Sequence, residues 1–144
     1  MINKKYQLPR DLSVDESKHH KFSELAEEDI FKTMKSVFLY AMAIGFYKKL
    51  KIPLKKKKNS IPSSSISEPD EKWTKERWLL NAIALTETED INIILDGEKV
   101  AHIAEEYANY GIDILYDVFK NPHKNYPKSY QILDSLLDSL LEDL

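Results

Sequence analysis

The sequence predicts a mainly α-helical protein, with about five helices in one compact domain and a short N-terminal strand. Apolar residues recur at helical spacing through five stretches separated by turn signals. Only three glycines among 144 residues argue against a turn-dense all-β fold. A hydrophobic content of 42% supplies a core for one domain-sized chain.

Residues 3–10, NKKYQLPR, read as a short extended segment, because Pro9 discourages helix at Leu8. A helix follows over 15–28, capped by Ser13 or Asp15, with Phe22, Leu25 and Ala26 on its apolar face. The stretch 30–46 is the most apolar of the chain. Phe31, Met34, Phe38, Ala41 and Met42 keep the 3.6-residue period while Val37, Leu39, Tyr40 and Ile44 widen it, as in a central helix that Gly45 would end.

Residues 51–72 combine Pro53, a lysine run, Pro62, Ser63-Ser64-Ser65 and Pro69, the signature of a mobile Lys/Pro/Ser-rich loop. A third helix spans 70–88 on Trp73, Arg77, Leu80, Ile83 and Ala84. Ile91 to Leu95 is strand or helical turn, which periodicity does not separate. The fourth helix runs over 98–120, where Gly111 marks a kink or a close helix contact. The last, 129–142, is leucine-rich on one face and acidic on the other. It suits docking on the domain's own core or on a partner helix.

The formal net charge of −3 conceals an asymmetry. Residues 1–60 carry 14 Lys and Arg against 7 Asp and Glu, a balance of +7, whereas residues 61–144 carry 7 against 17, a balance of −10. The chain thus divides into a basic helical part (1–50), the loop (51–72) and an acidic helical part (73–144), two electrostatically different sides. Lys48 to Lys58, KKLKIPLKKKK, holds seven lysines in eleven residues, enough to neutralise phosphates or simply to solvate a loop.

Several classes are excluded. No apolar run approaches the roughly 20 residues of a transmembrane helix, and the basic, polar start lacks the apolar segment of a secretory signal. Zero cysteines exclude disulfides and thiolate chemistry and fit a reducing cytoplasm. The glycine count opposes phosphate-cradling loops, and no cofactor is expected. His19 and His20 point in different directions on a helix. His102 and Glu106, four apart, could share a metal, yet no third ligand stands out. Glu105 and Glu106 beside His102 offer acid–base groups without a recognisable catalytic pattern, so enzyme activity is not expected.

Two resemblances add to this. Residues 4–47 resemble the start of ribbon-helix-helix DNA-binding proteins, with FKTMKSVFLYAMAIGF as the second helix. That likeness implies an obligatory homodimer whose strands lie in a DNA groove. Lys4, Tyr6 and Leu8 would share one ribbon face and Lys5 and Gln7 the other, with Thr33 and Lys35 near phosphate. Nearly the whole chain, through KKYQLPRD (4–11), VFLYAMAIGF (37–46), LLNAIALTETED (79–90) and EEYANYGIDIL (105–115), resembles the small accessory proteins encoded beside bacterial DNA phosphorothioation (Dnd) systems, the type called Dnd-system-associated protein 4. This second likeness implies a defence context linked to restriction of DNA lacking the sulfur mark.

The expectation is therefore an accessory subunit that binds a larger nuclease, helicase or ATPase, with DNA as a further partner and no membrane. Lys4, Lys5, Lys48, Lys49, Lys51, Lys55, Lys56, Lys57 and Lys58 are the DNA-contact candidates. Trp73, Glu105, Tyr107, Tyr110, Leu137, Leu140 and Leu144 are the partner-interface candidates, with Glu105, Tyr107, Gly111 and Asp90 equally readable as packing, capping or bridging residues. The alternative is a dimeric ribbon-helix-helix-like regulator.

Overall fold

The structure, a computed structural model, describes residues 6–66 and 74–121. Strand β1 (Asp11–Asp15) leads through a 3-10 turn (Glu16–Lys18) into α1 (His19–Ala26), and α2 is Met34–Lys48. Strand β2 (Lys57–Pro62) and a 3-10 turn (Ser63–Ser65) come next. They precede α3 (Lys75–Thr88), a 3-10 segment (Ile91–Leu95) and α4 (Gly97–Lys120). The fold is mainly α-helical, with four α-helices and one two-stranded antiparallel sheet among the described residues. The fifth predicted helix, 129–142, lies outside them.

The centre is α2 against α4. Because α2 is apolar on nearly every side, Val37, Phe38, Leu39, Ala41, Met42, Ala43 and Ile44 are all buried. Two glycines let the backbones touch. A Cβ on Gly111 would stand 1.7 Å from the Ala41 carbonyl oxygen, and one on Gly45 would stand 2.2 Å from that of Tyr107. Gly111 therefore serves close packing, one of its two predicted roles. Gly45 does not end α2 as predicted. The helix continues one turn to a Schellman-type closure, with Lys49 left-handed at φ 57°, its N–H on the Phe46 carbonyl and the Leu50 N–H on that of Gly45.

Polar side chains set the other ends. Thr33 caps α2, Thr74 caps α3 and Asp96 caps α4, each through a side-chain oxygen accepting a backbone N–H. Asp90 caps the 3-10 segment Ile91–Leu95, so this apolar run is helical turn and not strand. Asp15 caps the short turn ahead of α1, which begins later than the predicted residue 15.

Both strands depart from expectation. The extended segment expected at 3–10 appears as a strand one step later, after Pro9. The stretch expected to be loop contains β2, with Asp11 opposite Pro62 and Asp15 opposite Lys57. Leu12 faces Ile61 and Ser13 faces Asn59, which leaves Ser60 as a one-residue bulge. Local composition hides this strand, because what holds it is Ile61 in the core and a partner more than forty residues away.

Candidate functional site

Several of the candidate residues meet around the middle of α4, the segment EEYANYG and the turn after it. Glu105 is only 4% exposed. Its Oε2 accepts the outward-turned N–H of Ser13 on β1 at 2.5 Å, and its Oε1 lies 3.6 Å from Lys57 Nζ on β2. Burial pushes its pKa up, against the Ser13 hydrogen bond and the nearby Lys57 and His102. Glu106 Oε1 is 3.9 Å from Lys51 and its Oε2 is 3.5 Å from His102 Nε2. Lys51 also bonds Glu87 of α3, and that bond holds the ammonium's pKa up despite burial. Tyr107 packs edge-on against Phe46, with its backbone under Gly45. Asn109 donates its amide to the carbonyls of Ile52 at 3.1 Å and Pro53 at 3.3 Å.

One turn further, Asp113 takes Lys18 at 2.8 Å and Lys21 at 2.7 Å. Burial alone would raise this carboxyl, but the hydrogen bonds from both lysines outweigh it and hold its pKa below the usual carboxylate range. Among the described residues, six ion pairs join the basic first half to the acidic second half, from Lys18, Lys21, Lys35, Lys51 (twice) and Lys57. Lysines of the basic part thus meet acids of the acidic part across the described elements. The opposite charges are interleaved, because α4 lies between the sheet, α1 and α2.

A cleft of about 690 Å³ opens beside Glu105, between the sheet and the first turns of α4. Asp11, Ser13, Lys57 and Asn59 line one wall, and Glu98 and His102 line the other. Ser13 Oγ donates to Asn59 Oδ1 across the strands at 3.0 Å. Among the described residues, no group of three or more His, Asp and Glu is placed to hold a metal ion.

Of the partner-facing candidates, Glu105 and Tyr107 (6% exposed) lie inside the fold and Tyr110 is half-buried. Trp73, Leu137, Leu140 and Leu144 lie outside the described residues. The other tryptophan, Trp78, is 45% exposed on α3.

The lysine candidates divide in two. Lys51, Lys56 and Lys57 are paired with Glu87, Glu16 and Glu105, whereas Lys49, Lys55 and Lys58 are exposed and their ammonium groups carry no ion pair among the described residues. Lys48 is exposed at the end of α2, and Lys4 and Lys5 lie outside the described residues. Of the ribbon candidates, Thr33 is a helix cap and Lys35 pairs with Glu76 at 3.4 Å. Of the predicted ribbon, Lys4 and Lys5 lie outside the described residues, and no strand includes Tyr6, Gln7 or Leu8. Strand β1 pairs with β2 of its own chain, and Glu105 occupies the Ser13 N–H on the other side.

One residue that the sequence marks only as a position on the third helix is a buried polar anchor. Arg77 is fully buried, and its guanidinium bonds Asn81 Oδ1 at 2.8 Å and the carbonyls of Tyr6 at 2.7 Å and Ile94 at 3.2 Å. Burial lowers its pKa to about 10, so it stays charged at neutral pH. The available signal was its place at helical spacing among the apolar residues that precede Leu80 in the sequence.

These features define a small, mainly helical protein whose charged residues largely tie its elements together, with a rim of lysines left over at β2. The chain belongs to the family described as DNA sulphur modification system-associated protein 4, whose model matches residues 14–140. No curated protein and no solved structure matches it. Among the described residues, no helix is long and apolar enough to cross a membrane.

Proposed function

We propose that this chain is a non-enzymatic adaptor subunit of a DNA sulphur modification system, docking on a larger nuclease, helicase or ATPase of an antiphage restriction machinery. Family membership across residues 14–140 carries this reading. The side chains best suited to chemistry support it, since Glu105 and Glu106 tie α4 to other segments of the fold and His102 pairs with Glu106 within α4. The test is co-purification with the other proteins of the system. Stoichiometric recovery supports the adaptor, and elution alone while the others assemble without it overturns it. Removing residues 129–144 from the full chain asks which surface docks. A folded truncation that loses its partner assigns docking to that tail.

A second reading concerns DNA and rests on Lys49, Lys55 and Lys58, which face solvent without acidic partners. Amines placed this way neutralise phosphates and release counterions. Replacing Lys55 to Lys58 by alanine should weaken salt-sensitive duplex binding, and unchanged binding removes this segment from DNA contact.

A further inference from the structure

The cleft between the sheet and α4 is floored by a carboxylate that the fold leaves half used. Glu105 is buried, lines the cleft, and accepts the Ser13 N–H at its Oε2. Its Oε1 takes no hydrogen bond among the described residues. The ion-pair partner of that oxygen, Lys57 Nζ, stays at 3.6 Å, beyond hydrogen-bond length, on a half-exposed side chain. A buried carboxylate oxygen in that state favours a further donor, and the cleft is where a ligand can bring one.

The other charges of the cleft set the sign of that donor. Three bases reach it, and each already has an acid: Lys57 has Glu105, Lys99 has Asp96 at 3.8 Å, and His102 has Glu106 at 3.5 Å. Two acids on facing walls, Asp11 of β1 and Glu98 of α4, have no ion-pair partner among the described residues. The balance favours a cation and opposes a phosphate. No three of the described His, Asp and Glu residues are placed to hold a metal ion, so the cation is organic. A guanidinium suits dispersed acceptors better than an ammonium, because its five N–H donors spread in a planar fork. Pro9, Ile93 and Ile103 give its methylene stem apolar surface to lie on. The volume of about 690 Å³ leaves room for the backbone that carries it.

We propose that this cleft receives an arginine side chain of the partner protein, its guanidinium donating to Glu105 Oε1 between Asp11 and Glu98. The proposal rests on the adaptor reading and gives it a docking surface, with walls from β1, β2 and α4 and one anchoring residue type on the partner.

The test titrates the full chain with blocked tripeptides carrying arginine, lysine or citrulline between two glycines, and NMR follows the Ser13 and His102 amide signals. The arginine peptide should shift both signals saturably. Lysine should bind several-fold more weakly, and citrulline, which lacks the charge, should not bind. The double variant Asp11→Asn, Glu98→Gln should weaken the arginine peptide about fivefold at an unchanged unfolding midpoint. Glu105→Gln, which turns an amide N–H₂ toward the cleft, should weaken it further. Citrulline or lysine binding as tightly as arginine overturns the proposal, and so does arginine binding that survives in both variants. Co-purification with the other proteins of the system separates the cleft from the adaptor reading. The double variant should recover less partner than the wild type. Full recovery overturns the cleft and leaves the adaptor intact. A wild-type chain that elutes alone while the others assemble overturns the adaptor, and with it the occupant assigned to the cleft.

Discussion

Glu105 shows how one side chain can be half required and half costly. Its Oε2 satisfies a strand N–H that would otherwise be buried without an acceptor, while its charge sits where burial disfavours it. The two contributions separate by substitution. Gln keeps an acceptor for Ser13 and loses only the charge and the half-exposed Lys57, whereas Ala leaves the N–H orphaned and a void. Glu105→Ala should cost about 2–3 kcal/mol. Glu105→Gln should be close to neutral or slightly stabilising at neutral pH. The pH dependence follows from the raised folded pKa. An acid that titrates higher in the fold binds more protons there, so its contribution to stability falls as pH rises through the folded value. The wild type should therefore draw level with Glu105→Gln on acidification from neutral pH, as read by urea unfolding midpoints; a gap that widens in acid contradicts the burial argument. The hydrogen bond itself was not legible in the sequence, because its partners are 92 positions apart.

Among elements, α2 was the most legible and its end the least. The apolar run identified a central helix, but Gly45, read as a terminator, is a contact point that lets Tyr107 approach. Gly111→Ala should destabilise by about 3 kcal/mol, because the new Cβ meets the Ala41 backbone, which cannot turn aside as a side chain would. An unchanged denaturation midpoint would show that α2 and α4 are not in backbone contact. The real terminator is Lys49, a non-glycine residue in the left-handed region. Lys49→Gly should therefore stabilise by about 0.5–1 kcal/mol in thermal or denaturant unfolding. A loss of stability would mean that the lysine stem contributes more than the strain it bears. The caps Asp90 and Asp96 were foreseeable from residue type and position, since an acid ahead of a helical turn has one obvious use. Strand β2 was not, as lysines, serine and proline disguise it.

For the whole molecule, charge was legible in amount and misleading in arrangement. A count along the sequence separates plus from minus, and the fold brings them together. The consequence is mutual dependence. The helix α2 has no apolar partner within residues 1–66 comparable to α4, and α4 loses both its glycine contacts and its lysines without the first half. Residues 1–66 expressed alone should lack cooperative unfolding by circular dichroism, and co-expression with residues 67–144 should restore it. An independently folded first half would contradict the interleaved picture.

The pairing of β1 with β2 also bears on how the protein carries a load. Both chain continuations leave the sheet at the same end, where Asp11 stands opposite Pro62. There the Ser63 N–H and Oγ both donate to the Arg10 carbonyl, at 3.0 Å and 2.9 Å. Tension across residues 10 and 63 would reach that pair of bonds first and then part the ladder rung by rung, not in shear. The residues enclosed between the strands, with α1 and α2, would feel no pull until the last rung opened. Under such a load the Arg10–Ser63 junction is the first point of the sheet to open.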